Sequence, residues 1–80
     1  MPTLASAFPR NVRAERVRRG WDQEQFGQRL GWSRTMVGDL ETGRRKLGVD
    51  DLAPICRALG LPLATLAQGV DEDDLEALGL

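Results

Sequence analysis

Arg34, Thr35, Gly38 and Asp39 fall on one side of the stretch Ser33–Gly43 if that stretch is helical. At 100° per residue from Arg34, the apolar Met36, Val37 and Leu40 lie between about 200° and 300°. The polar set, with Thr42, occupies an arc from about 0° to about 140°. These residue types recognise rather than react. A guanidinium presents a planar fork of donors, a hydroxyl donates or accepts, and a carboxylate accepts. The fork of Arg34 matches the O6 and N7 acceptors of guanine, Thr35 suits a thymine methyl or a phosphate, and Asp39 can accept from cytosine N4. Asp39 can equally pair with Arg34 or Arg45 and hold it in place, since phosphate repels a carboxylate in a groove. Gly38 adds no side chain and permits close approach.

Other candidates flank this face. Arg44, Arg45 and Lys46 follow the helix end, where cations complement the C-terminal dipole or take phosphate oxygens. Gln23 lies in the first turn of the preceding helix, where free backbone N–H groups favour an anion. Ser33 and Thr42 place hydroxyls at the two ends of the polar stretch, and Arg10 and Arg13 add two cations nearer the N-terminus. The base-facing set is therefore Arg34, Thr35, Gly38 and Asp39. The phosphate-facing set is Gln23, Ser33, Thr42, Arg44, Arg45, Lys46, Arg10 and Arg13. A catalytic reading has little to stand on: the chain has no histidine, one cysteine, no paired carboxylates with an evident cleft, and no phosphate-cradling glycine loop. A zinc site would need carboxylates almost alone, so no metal and no cofactor is expected.

Two short helices must position these groups. In W-D-Q-E-Q-F, Trp21 precedes the N-cap Asp22, Gln25 completes a D-x-x-Q capping box, and Trp21 can pack on Phe26. In W-S-R-T-M-V, Trp32 precedes Ser33 and can pack on Val37 in the same way. Gly31 and Gly43 close the two helices in the left-handed conformation that glycine enters most easily. Gly27 weakens its helix by about 1 kcal/mol relative to alanine.

Residues 12–67 resemble the helix-turn-helix domain of the phage-repressor and Cro class, the XRE-like family. The matching residues are Arg16, Gly20, Gln23, Phe26, Gly27, Leu30, Gly31, Ser33, Val37, Leu40, Glu41, Gly43 and Leu59-Gly60. The resemblance implies an all-α, five-helix lambda-repressor-like DNA-binding domain, with the helix-turn-helix at about 22–42 and a short acidic C-terminal helix or tail. It implies that Gln23 faces phosphate, that Arg34, Thr35 and Asp39 face bases, and that the loop with Arg44, Arg45 and Lys46 touches backbone. It also implies a buried ion pair between Arg16 and Glu41, a small residue at Gly27 where the helices cross, and a dimer contact near Leu61, Leu63 and Leu66.

The remaining elements follow from local signals. Residues 1–8 read as a flexible arm, with Phe8 available to pack on the core, and a first helix is expected from about Pro9 to Gly20. Asp50 and Asp51 open a fourth helix that closes at Gly60, with Pro54 near its start and Leu47 and Val49 anchoring the loop before it. Pro62 opens a fifth, with Leu63 and Leu66, ending near Gly69. Cys56, beside Ile55 and Leu59, reads as a buried structural thiol.

Eighty residues suffice for one small, marginally stable domain, and 41% hydrophobic residues with two Phe, two Trp and no Tyr imply an aliphatic core. The division expected is an arm over 1–8, a helix-turn-helix domain over 9–69 and an acidic tail over 70–80. Net charge is −1, but residues 1–70 carry all 11 Lys and Arg with seven acids, whereas residues 71–80 carry five acids and no base. A basic body is consistent with phosphate binding. Leu75 and Leu78 fall on one side of the tail, free to pack on the body or on a second chain.

With no basic N-terminal segment before an apolar run and no run long enough to span a bilayer, a cytoplasmic protein is expected, without membrane contact. The function that results is a sequence-specific, double-stranded DNA-binding transcriptional regulator, a homodimer on a pseudo-palindromic operator. The alternatives are a protein-interaction module of the same fold, or an antitoxin or controller protein acting with a partner such as a toxin.

Overall fold

The structure, a computed structural model, describes residues 3–80. Among these there is no strand, and the helices are α1 (Leu4–Arg18), α2 (Gln23–Leu30), α3 (Arg34–Thr42), α4 (Val49–Leu59), α5 (Leu63–Leu66) and α6 (Glu72–Ala77). Five helices of an all-α domain and a short acidic sixth match the architecture that the sequence implies.

The arm expected over 1–8 requires correction. Met1 and Pro2 lie outside the described residues, but residues 4–8 form the first turns of α1. Thr3 caps the helix: its Oγ1 accepts from the Ser6 N–H at 3.3 Å, and the Ser6 Oγ accepts from the Thr3 N–H at 3.0 Å. Ala7 and Phe8 are fully buried, and Leu4 packs beside them. Pro9 thus stands at the sixth helical position, not the first, and Pro54 stands at the sixth position of α4. Each leaves the carbonyl four residues earlier without its helical donor. Those carbonyls belong to Ala5 and Asp50, both exposed, so water is within reach of the freed oxygen.

The core is built from every helix of the body. Phe8 and Val12 of α1 meet Phe26 of α2, Val37 and Leu40 of α3, Ile55 and Leu59 of α4 and Leu66 of α5, all buried. Leu66 is therefore core, which removes it from the dimer candidates, while Leu61 and Leu63 stay half-buried. Leu47 packs against the core as expected, but Val49 does not. At the first position of α4 it is 84% exposed, because that helix turns Ile55 and Leu59 inward instead. Cys56 is half-buried beside the core, and burial pushes its thiol pKa up. A second cluster of Ala7, Ala67 and Val70 receives Leu75 of α6, whereas Leu78 is 52% exposed.

Polar side chains tie these elements together. The amide Nδ2 of Asn11 donates to the Leu66 and Gln68 carbonyls, each at 2.8 Å, and Nη2 of Arg19 donates to the Leu59 carbonyl at 2.6 Å. Both fasten α1 to the ends of later helices, where carbonyls lack helical partners. No helix among the described residues is long and apolar enough to cross a membrane.

Candidate nucleic-acid interface

The angle between α2 and α3 is set by their caps and by one close approach. Asp22 accepts from the Gln25 N–H at 2.7 Å while the Gln25 Oε1 accepts from the Asp22 N–H at 2.8 Å, so the capping box is complete. The rings of Trp21 and Phe26 stack with centroids 6.1 Å apart, joining the residue before the cap to the fourth helical position. Gly31 turns the chain at φ 73°, and the Trp32 N–H donates to the Gly27 carbonyl at 2.8 Å. A Cβ at Gly27 would lie 2.6 Å from the Trp32 carbonyl oxygen and 3.4 Å from the Val37 Cγ2. The glycine lets the helices meet there.

Helix α3 then stands with Val37 and Leu40 in the core and Arg34 and Thr35 exposed near its N-terminus. Gly38 and Asp39 are partly exposed on the same helix. Ser33 caps it, its Oγ accepting from the Met36 N–H at 3.1 Å, which leaves the hydroxyl proton free to donate outward. Thr42 instead spends its proton on the Gly38 carbonyl at 2.9 Å. Asp39 forms no side-chain pair with Arg34 or Arg45. Its contribution to the loop is its carbonyl, which accepts from the Arg45 N–H at 2.9 Å.

A shallow depression of about 360 Å³ between the start of α2 and α3 is lined by Arg16, Asp22, Gln23, Glu24 and Arg34. Gln23 and Arg34, assigned separately from the sequence, thus share one surface. The Gln23 amide also stands 3.8 Å from where a Gly38 Cβ would be, and its Nε2 donates to Glu41 Oε1 at 3.4 Å. Glu41 is bound in turn by Arg16, whose Nε and Nη2 donate to Oε2 and Oε1 at 2.6 and 2.9 Å. A third donor, Arg16 Nη1, reaches the Trp21 carbonyl at 2.7 Å. The side chains of the pair are 10% and 2% exposed, and hydrogen bonding to Glu41 raises the Arg16 pKa. Helices α1, α2 and α3 are joined at this one knot, so the orientation of Gln23 depends on it.

The basic loop divides. Arg44 and Lys46 are exposed, but Arg45 turns back: its Nη2 donates to Asp51 Oδ1 at 3.2 Å and its guanidinium lies over the Trp32 ring, 4.6 Å from the centroid. Asp51 also accepts from the Gly48 N–H at 3.1 Å. Burial works against its charge, but the bonds from Arg45 and Gly48 outweigh it and hold its carboxyl below the ordinary value. Arg10 and Arg13 are not brought to the Gln23–Arg34 depression either. With Ala14, Val17 and Arg18 they line a separate hollow on the outer face of α1, and Arg10 also borders a depression with Glu41, Thr42 and Gly43 at the end of α3. Sequence reasoning missed the role of Arg45, although a tryptophan before one N-cap and an aspartate at the third position of the next helix were both visible. The sequence foresees the packing of Trp21 on Phe26, but not the two guanidiniums over the Trp21 ring, Arg29 at 4.0 Å and Arg19 at 5.8 Å. No cluster of His, Cys, Asp and Glu fit to hold a metal ion occurs among the described residues.

Known proteins share this fold. A family model described as a helix-turn-helix domain matches residues 8–69. A hypothetical transcription factor of Neisseria meningitidis serogroup B is 31% identical over 58 residues, which are 72% of this chain and 55% of that protein. The chain thus spans about half the length of that relative. Among solved structures, the Neisseria hypothetical transcription factor NHTF superposes with a TM-score of 0.74 at 27% identity, over 94% of this chain and 84% of that one. The clp gene regulator ClgR of Corynebacterium glutamicum superposes with a TM-score of 0.74 at 27% identity, over 98% and 84%.

Proposed function

The chain belongs to the helix-turn-helix domain family, and from that premise we propose that it is a sequence-specific regulator binding double-stranded DNA as a homodimer. The observation that carries the proposal is the shared surface of Gln23 and Arg34, one at the start of α2 and the other exposed at the start of α3. A major groove admits a helix such as α3, with its N-terminal residues toward base edges. Arg34 then reads guanine, Thr35 contacts a neighbouring base or phosphate, and partly exposed Gly38 allows close approach. Gln23, Ser33, Arg44 and Lys46 meet phosphate, whereas Thr42, whose proton goes to the Gly38 carbonyl, has none to give a phosphate oxygen. The molecule measures 35 × 24 × 21 Å, so two copies side by side suit half-sites about one helical turn, or about 34 Å, apart.

A second reading has one observation in its favour. Asp22 and Glu24 line the same depression as Arg34, and their charge opposes phosphate there. A protein-interaction module of this fold would carry them without cost. Selection from a pool of random duplexes separates the two readings. The DNA-binding reading predicts an enriched motif with two-fold symmetry, and loss of all enrichment would overturn it in favour of the interaction module.

A further inference from the structure

Among the described residues the acids of the C-terminal segment have no cationic partner. Among the described residues the ion pairs are Arg16–Glu41, Arg18–Glu15, Arg19–Glu15 and Arg45–Asp51. None involves Asp71, Glu72, Asp73, Asp74 or Glu76. Helix α6 rests on the body through Leu75, which packs on Ala7, Ala67 and Val70, and it leaves Leu78 and Leu80 52% and 40% exposed.

The outer face of α1 offers the complement. Arg10, Arg13, Ala14, Val17 and Arg18 line its hollow of about 550 Å³, and Val17 at the floor is 56% exposed. Arg13 has no carboxylate partner among the described residues, and Arg18 is 75% exposed with Glu15 at 3.3 Å. Arg10 is turned toward its own chain, with Nη2 3.6 Å from where a Gly69 Cβ would be, so Arg13, Val17 and Arg18 remain open. Exposed aliphatic side chains framed by one sign of charge thus occur twice, once basic and once acidic.

We propose that this face of α1 receives α6 of a second copy of the chain, and that the exchange is reciprocal about a two-fold axis. The geometry permits it. Leu75 docks beside Ala7, and Val17 lies ten residues further along α1, or about 15 Å. Antiparallel approach of two α1 helices places the acidic helix of each copy at the Val17 end of the other. The same contact then forms twice, as a self-complementary interface requires. Asp73 and Asp74 face Arg13 and Arg18, and Leu78 covers Val17. The surface leaves Arg34, Arg44 and Lys46 free. It rests on the homodimer reading above and adds to it the interface, which involves neither Leu61 nor Leu63.

Sedimentation equilibrium of the full chain, free of DNA, tests this. The wild type is expected to be dimeric at low ionic strength and to dissociate as salt screens the charges. Arg13→Glu alone and Asp73→Lys with Asp74→Lys are each expected to be monomeric at the same concentration. Mixed in equal amounts, the two variants are expected to dimerise again. Each Lys-bearing tail then meets the carboxylate introduced on α1 of its partner, and each acidic tail meets an unaltered Arg13. That rescue also shows that both variants fold. A wild-type dimer that survives both reversals would overturn this interface while leaving the homodimer reading intact. A free monomer that pairs only on an operator duplex would do the same. A monomer with no DNA binding at all would remove both.

Discussion

The Arg45 guanidinium lies 4.6 Å from the centre of the Trp32 ring while its Nη2 holds Asp51 at 3.2 Å. One side chain thereby ties the turn before α3 to the start of α4 across the loop that carries Arg44 and Lys46. An exposed phosphate ligand would add nothing to stability, whereas a stacked guanidinium contributes about 0.5–2 kcal/mol. Arg45→Ala should lower the thermal midpoint. Arg45→Lys should recover little of it, since an ammonium keeps the charge but loses the planar fork. An unchanged midpoint in both variants would return Arg45 to the phosphate-facing set.

The same contact sets an acid limb. The Asp51 pKa is held below its ordinary 3.8 in the folded chain, so in the window just below that value the unfolded chain binds more protons. The stabilisation from the Asp51 charge is complete above the unfolded value and is lost as pH falls through the folded one. Thermal melts from about pH 5 to about pH 2 should show a decline that Asp51→Asn flattens. An unaltered acid slope in that variant would mean that other carboxylates carry the effect.

Two glycines in the recognition motif should respond in opposite directions to alanine. At position 27 a methyl would stand 2.6 Å from a backbone oxygen, so α2 and α3 must part. At position 38 it would meet only the Gln23 amide at 3.8 Å, an ordinary contact. Gly38→Ala should therefore gain up to about 1 kcal/mol of helix propensity. In a domain of this size that gain raises the midpoint by roughly 4–8 °C. Gly27→Ala should lower it despite the same propensity gain. Differential scanning calorimetry on both variants checks the sign at each site.

The pair of Arg16 and Glu41 is buried and fully bonded, so its members are worth more together than either is worth alone. Removing one strands a charge at a cost of about 3–5 kcal/mol, a large share of the stability of a small domain. Glu41→Leu should shift the urea midpoint strongly downward, and Arg16→Met with Glu41→Leu should restore part of the loss. Additive losses in the double variant would show that the two residues act independently. Gln23 bonds to the same carboxylate, so the double variant should still bind DNA less tightly than its stability implies.

Much of the fold is legible in the sequence because it is local. The capping box at Asp22, the N-cap at Ser33, the turns at Gly31 and Gly43, and the apolar spacing of Phe26, Val37 and Leu40 each specify structure within a few residues, and the helices follow them. The start of α1 is not legible in this way, because Pro9 is a strong signal for a first helical position and Thr3–Ser6 a weak capping box. Burial of Ala7 and Phe8 decides the matter, and burial is a property of the whole fold. The site divides in the same way. Exposure of Arg34 follows from helical phase, but the inward turn of Arg45 depends on Trp32 and Asp51, which are brought together only when α3 and α4 pack. Charge count alone does not separate Arg45 from Arg44 and Lys46.

That separation gives the sharpest test of the interface. Arg34 is exposed beside Gln23, where a fork can match a base, so Arg34→Ala should cost about 1–3 kcal/mol on the preferred duplex and little on random DNA. Arg44→Ala and Lys46→Ala should weaken binding to every duplex alike. Each should also reduce the slope of log K against log salt by about 1, because each neutralises one phosphate. Titration by fluorescence anisotropy at several salt concentrations reads both quantities at once. Equal losses for the Arg34 variant on preferred and random DNA would make it a phosphate ligand, and base reading would then fall to Thr35 and Asp39.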